Sequence, residues 1–161
     1  INQMLSTHSI NDETRAKKAA KVKIVNDAIG EIIKELNTSK IWDNTLVIFS
    51  SDNGAPFGDG GSNYPLRGSK STLWEGGIRG TAFITGGYLN SSRRGQITNE
   101  PMHITDIYPT IMEIVNITAS NSSIMDGKSF LNVIRDPQAT SFRQETVLNI
   151  DPVDCNNSRG V

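Results

Sequence analysis

A chain of 161 residues with 16 Lys and Arg against 17 Asp and Glu carries a formal charge of −1, which gives no electrostatic case for gripping nucleic acid or an anionic membrane surface. No apolar run reaches the roughly 18 residues of a membrane-spanning helix, while a chain of this size can bury about 68–70% of its unfolded surface in a core. The single cysteine, Cys155, excludes an internal disulfide framework and leaves either a free thiol or a pairing with a cysteine outside this chain.

The first element is a helix from about residue 11 to residue 36. Val22, Val25, Ile29, Ile32 and Leu36 recur at alternating steps of three and four, Ile24, Ala28 and Ile33 widen the stripe, and that face should pack on a sheet. Arg15, Lys17, Lys18, Lys21 and Lys23 form a basic cluster on its first half, which in a near-neutral chain reads as a solvated face rather than a patch for an anionic polymer. Thr45 to Ser50 follows as a short apolar run without alternation, the pattern of a central parallel strand covered on both faces. Residues 55–65 hold several glycines with Asp59 and Asn63 and read as a loop beside the site.

Thr81 to Thr85 is a second strand, broken by Gly86-Gly87, and Asn90 to Asn99 is an exposed polar loop carrying Arg93 and Arg94. Thr105 to Val115 is a helix, with Thr105 as N-cap and Pro109 in the first turn, where its missing N–H is tolerated. Ala119 to Ser123 reads as a polar loop, Phe130 to Ile134 as a short helix and Glu145 to Ile150 as a strand. There is no internal repeat, and no linker long enough to separate independent domains.

The chemistry-bearing residues lie between the two strands. Asp52 and Asn53 fall at the carboxyl end of the first strand, where open α/β sheets bind ligands. Consecutive strand residues point to opposite faces, so both can serve one site only if the chain has turned, and Gly54 permits that turn. A carboxylate and a carboxamide oxygen suit a hard cation such as Ca²⁺. The same tripeptide is also an ordinary Asp-Asn-Gly turn. Lys70 offers a compact ammonium with three donors, suited to a tetrahedral oxyanion, or is simply a surface lysine.

The segments Ser51-Asp52-Asn53-Gly54 and Lys70-Ser71-Thr72-Leu73-Trp74-Glu75-Gly76-Gly77-Ile78-Arg79 resemble, in order and composition, two linked motifs of the sulfatase family. Asn63-Tyr64-Pro65-Leu66-Arg67-Gly68 is similar to the arylsulfatase B type. So are Lys40 to Thr45, the Asp106-Ile107-Tyr108-Pro109-Thr110 helix start, Asp126-Gly127 and Leu148 to Pro152, so the resemblance covers nearly the whole chain. It implies an alkaline-phosphatase-like α/β fold: a mixed, mostly parallel sheet flanked by helices, incomplete here, with part of a small C-terminal α+β region. Residues 1–118 would be the C-terminal part of the catalytic domain and residues 119–161 the start of a C-terminal subdomain.

The resemblance further implies Asp52 and Asn53 as Ca²⁺ ligands and Lys70 as the catalytic, sulfate-binding ammonium. Arg67, Trp74, Glu75 and Arg79 read as scaffold, with a substrate contact from Arg67 as the alternative. His103 is either a core histidine bonded to backbone, the preferred reading, or a residue at a pocket edge. Sulfatases use a formylglycine made from the cysteine of a Cys-x-Pro-Ser-Arg motif, which when hydrated attacks sulfur, releases the alcohol and then expels sulfate. Cys155 stands in Val153-Asp154-Cys155-Asn156-Asn157 without that motif, and His8 lacks the proline of the family's histidine loop.

The chain therefore reads as the C-terminal part of a longer sulfatase, inactive alone. The alternatives are an inactive relative that binds sulfated glycans and a phosphoryl-transfer relative of the same superfamily, against which the shortage of histidines and the Lys70-to-Arg79 motif argue. Ser71 replaces a large aromatic of the arylsulfatase B type, so the substrate preference stays open; the resemblance implies a sulfated sugar of a glycosaminoglycan as the leading candidate, with an aryl sulfate as the other. Five glycosylation sequons, at Asn37, Asn90, Asn116, Asn121 and Asn156, fit a lysosomal or secreted protein.

Overall fold

The computed structural model describes residues 12–117 and 125–148, which form two compact units divided between Tyr88 and Leu89. In the first unit the Asp12 carboxylate accepts from the Arg15 N–H at 2.6 Å, satisfying one of the orphan amides of a helix start, and helix α1 runs Glu13–Thr38. Lys40, left-handed at φ 58°, turns the chain out of the helix and into a 3-10 turn at Trp42–Asn44. The expected helix is present, but among the described residues its apolar face is only partly covered, with Ile29, Ile33 and Leu36 half-buried. Val22, Ile24, Val25 and Ile32 are exposed, and Ala16 is the one buried residue of α1. Periodicity reports that a face wants cover without saying which segment supplies it.

Strand β1, Val47–Ser50, pairs with β2, Ala82–Thr85, in an antiparallel register that sets Phe49 opposite Phe83 and Ile48 opposite Ile84. The two phenyl rings stack with centroids 4.9 Å apart. A central parallel strand buried on both faces was expected; among the described residues β1 has this antiparallel neighbour and stays half-buried. An unbroken apolar run is ambiguous as to strand direction, whereas the cross-strand aromatic pair favours the observed register. Gly86, at φ 124°, ends β2 against the backbone of Thr45, where a Cβ would lie 2.1 Å from the carbonyl oxygen.

The second unit is built around Asp106. A 3-10 turn at Ile104–Asp106 leads into helix α3, Ile107–Ile114, α2 being the one-turn helix at Glu75–Ile78 between β1 and β2 in the site segment. The cap is His103, not Thr105: the imidazole Nδ1 accepts from the Thr105 N–H at 3.3 Å and the Asp106 carboxylate accepts from the His103 N–H at 2.8 Å. His103 is thus bonded to backbone, though half-buried at a helix start rather than in the core. Pro109 sits in the first turn of α3 as expected.

Asp106, 1% exposed, also accepts from the Lys128 N–H and from both Nε and Nη2 of Arg143. Thr110 donates to the Asp106 carbonyl at 2.6 Å and accepts from the Phe130 N–H at 3.0 Å, which seats helix α4, Leu131–Arg135. Phe130, Leu131, Val133 and Ile134 form the apolar centre of this unit. The 90–99 segment is less free than expected. Asn90 caps a 3-10 turn at Ser91–Arg93, and Arg93 donates to the carbonyls of Val133 and Ile134 at the end of α4. Residues 145–148 take no regular structure, unlike the expected strand, whose remaining positions, with the 119–123 loop, His8, Asn121, Cys155 and Asn156, lie outside the described residues.

Candidate active site

The pairing of β1 with β2 runs one residue past the strand, where Ser51 N–H donates to Thr81 O at 2.9 Å and the Ser51 hydroxyl accepts from the Thr81 N–H at 3.1 Å. Asp52 and Asn53 then bend away from the sheet. The Asp52 carboxylate accepts from the Asn53 N–H at 2.9 Å, and the Asn53 amide nitrogen donates to Gly54 O at 3.0 Å. That second bond consumes the donor end of the amide and leaves its oxygen as the available end, with the exposed Asp52 carboxylate beside it in sequence.

Two short backbone bridges bind this strand end to the downstream segment. Gly54 N–H donates to Gly77 O at 2.9 Å, and Lys70 N–H donates to Ala55 O at 3.2 Å. The glycines matter because backbones touch here. A Cβ on Gly54 would lie 1.7 Å from Gly76 O, one on Gly76 2.4 Å from Gly68 O, and one on Gly77 2.3 Å from Thr72 O. Gly54 does not adopt a left-handed conformation, so its role is close approach rather than the turn expected of it. Gly54→Ala should lower stability by about 1–3 kcal/mol through overpacking. Gly30→Ala, a helical position with nothing within 4 Å, should do the reverse, and comparing the two thermal midpoints checks both.

Lys70 occupies the corner of a tight turn. Thr72 N–H donates to Ser69 O at 3.0 Å, the Thr72 hydroxyl donates to the same oxygen at 2.8 Å, and Ser71 has φ 74°, the signature of the third residue of a type II turn. A non-glycine residue there carries backbone strain. The turn leaves Lys70 exposed, and among the described residues its ammonium has neither an ion pair nor a hydrogen bond. Its neighbours engage one another. The Arg67 guanidinium lies 3.8 Å from the Trp74 ring centroid, and Arg79 pairs with Glu75 at 3.1 Å across α2.

Asn63 is the residue that sequence reasoning left inside an undifferentiated loop. Its carboxamide accepts from Ala55 N–H at 2.8 Å and donates to Ala55 O at 2.8 Å and Gly68 O at 3.1 Å, closing residues 55–63 upon themselves. The far side of that loop is tied to α1: Lys18 pairs with Asp59, and Arg15 donates to Gly60 O at 3.0 Å. Two members of the basic cluster are therefore loop anchors rather than solvated charges. The hydrogen bond from Lys18 also holds the Asp59 carboxyl below its ordinary range.

Among the described residues no group of three His, Cys, Asp or Glu side chains converges as a metal cluster. Asp52 and Asn53 supply hard oxygen donors of the kind Ca²⁺ takes, but two side chains are fewer than its 6–8 oxygen ligands, so they fit as part of such a site. No described helix is long and apolar enough to cross a membrane.

A family model described as Sulfatase matches residues 3–117. Arylsulfatase J of Mus musculus is 36% identical over 145 residues, covering 90% of this chain and 24% of that protein. N-acetylgalactosamine-6-sulfatase of Homo sapiens is 32% identical over 121 residues, covering 73% of this chain and 23% of its own length. Among solved structures, Ps i-CgsB in complex with k-i-k-neocarrahexaose superposes with a TM-score of 0.74 at 25% identity, covering 84% of this chain and 30% of that one. The chain thus spans about a quarter of the length of the curated relatives it matches.

Proposed function

The chain belongs to the sulfatase family, and from that membership we propose that the protein carrying it hydrolyses sulfate esters of sugars, with Asp52, Asn53 and Lys70 as this segment's share of the active site. The observation that carries the reading is the pair of bridges, Gly54 to Gly77 and Lys70 to Ala55, which ties the strand end bearing two hard oxygen donors to the turn bearing an unpaired ammonium. Lys70 binds a sulfate oxygen, and its charge is worth most where oxygen gains negative charge as the ester breaks. The turn and the glycine contacts fix the backbone that carries Lys70, and its unpaired side chain reaches out from that fixed point to the substrate. Asp52 and Asn53 would hold Ca²⁺, which when bound supplies positive charge to sulfate oxygens. The formylglycine nucleophile would come from outside these residues. Sugar esters are preferred because relatives are named as an N-acetylgalactosamine-6-sulfatase and as a complex with a neocarrahexaose.

The sequons at Asn37, Asn90 and Asn116 all lie on exposed residues, which supports a glycoprotein of the secretory pathway, lysosomal or secreted. Release of sulfate from a sulfated oligosaccharide by the full-length protein tests the activity. Turnover of a phosphate ester with none of the sulfate ester would overturn it. For the metal, adding Ca²⁺ to the metal-stripped full-length protein should raise its thermal midpoint, and Asp52→Ala should abolish most of that rise. An unchanged Ca²⁺ response in the variant removes Asp52 from the ligand set.

A further inference from the structure

Resting on that reading, we propose that Phe57 and Tyr64 are the carbohydrate-binding platform of the site, each offering its ring to a sugar of the sulfated substrate. Both lie on the loop that separates Asn53 from Lys70, and both are open to solvent, Phe57 at 83% and Tyr64 at 89% exposure. Exposed apolar residues on a loose loop need no explanation, because a free loop can fold them away or leave them idle. This loop is not loose. Asn63 fastens it to Ala55 and Gly68, Lys18 holds Asp59, and Arg15 holds Gly60, so Phe57 lies two residues from one fixed point and Tyr64 adjoins another.

The anchoring fixes the loop while leaving the two rings without aromatic partners among the described residues. An aromatic ring held in advance presents a large apolar face at little entropic cost on binding, and the Tyr64 hydroxyl adds a polar tip that suits a ligand with an apolar ring face and hydroxyl edges. A pyranose has that build. Its sulfate, bearing the opposite charge to Lys70, sets the end of the ligand that must face the turn.

The test uses the full-length enzyme with two substrates, a sulfated oligosaccharide and a small sugar-free aryl sulfate. Phe57→Ala and Tyr64→Ala should each raise KM for the oligosaccharide about tenfold, the scale of one aromatic contact, with kcat and the aryl sulfate reaction within about twofold of the parent. Tyr64→Trp, which keeps a ring face, should retain oligosaccharide KM. Equal losses on both substrates, or no loss on either, overturn the platform and leave the sulfatase reading intact. Lys70→Ala must impair both substrates; a parent enzyme that cleaves neither sulfate ester overturns the underlying reading and the platform with it.

Discussion

Lys70→Ala in the full-length enzyme is expected to cut sulfate-ester kcat by about 10²–10³, or roughly 2.7–4 kcal/mol, the usual cost of losing one preorganised donor to a developing oxyanion. The loss should fall on kcat as well as KM, because the ammonium gains most from charge that builds up only as the ester bond breaks. Lys70→Arg keeps the charge but exchanges a compact ammonium for a planar fork and should recover only part of the rate. Stability should barely move, since Lys70 is exposed and its side chain pairs with none of the described residues. Turnover in Lys70→Ala matching that of the parent would remove the ammonium from the mechanism.

The largest effect on folding is expected at Asp106. Its carboxylate is buried, gripped by a two-pronged hydrogen bond from Arg143 at 2.5 and 2.9 Å, and accepts amide hydrogens from His103 and Lys128. Removing one partner of such a pair leaves a charge without compensation, so Asp106→Ala should destabilise the protein by about 3–5 kcal/mol. Replacing Asp106 and Arg143 together by apolar residues of similar volume should restore much of that, as a double-mutant cycle by urea denaturation would register. A loss below about 1 kcal/mol for the single variant would mean the pair is no more than a surface bridge.

The same network makes a pH prediction. Burial acts to raise the Asp106 carboxyl, but the hydrogen bonds from Arg143 and from the His103 and Lys128 amides outweigh it and hold the group below its ordinary range. A carboxyl lowered on folding contributes stability that is complete above its unfolded value, about pH 4, and fades as pH falls through its lower folded value. Unfolding free energies measured between pH 7 and pH 3 should therefore decline at the acid end in the parent and less steeply in Asp106→Ala.

Local pattern carried the elements whose cause is local. The 3.6-residue stripe of α1, Pro109 in a first turn and the short apolar runs at residues 47–50 and 82–85 each sit where the sequence predicts an element of that type. Direction and cover were not legible, because β1 is equally apolar whichever way its neighbour runs and α1 displays a stripe without naming its counterpart. Capping was misjudged by two residues, since a histidine doing the work of Ser or Asp at a helix start is a weak signal. At the candidate site the charged and amide residues stood out by type, whereas the tie made by Asn63 depends on which carbonyls the fold brings within reach. Asparagine in a glycine-rich loop has too many possible bonds for spacing alone to choose among them.

The contact of Gly54 with Gly76 separates two kinds of variation. With the strand end and the lysine turn clamped backbone to backbone, the tip at Gly58, where a Cβ would meet nothing within 4 Å, can change its side chains without displacing either, while Asp59 and Gly60 stay tied to α1. If the protein acts as proposed, divergent copies can exchange one preferred glycan for another at this tip while inheriting the strand end and the lysine turn untouched.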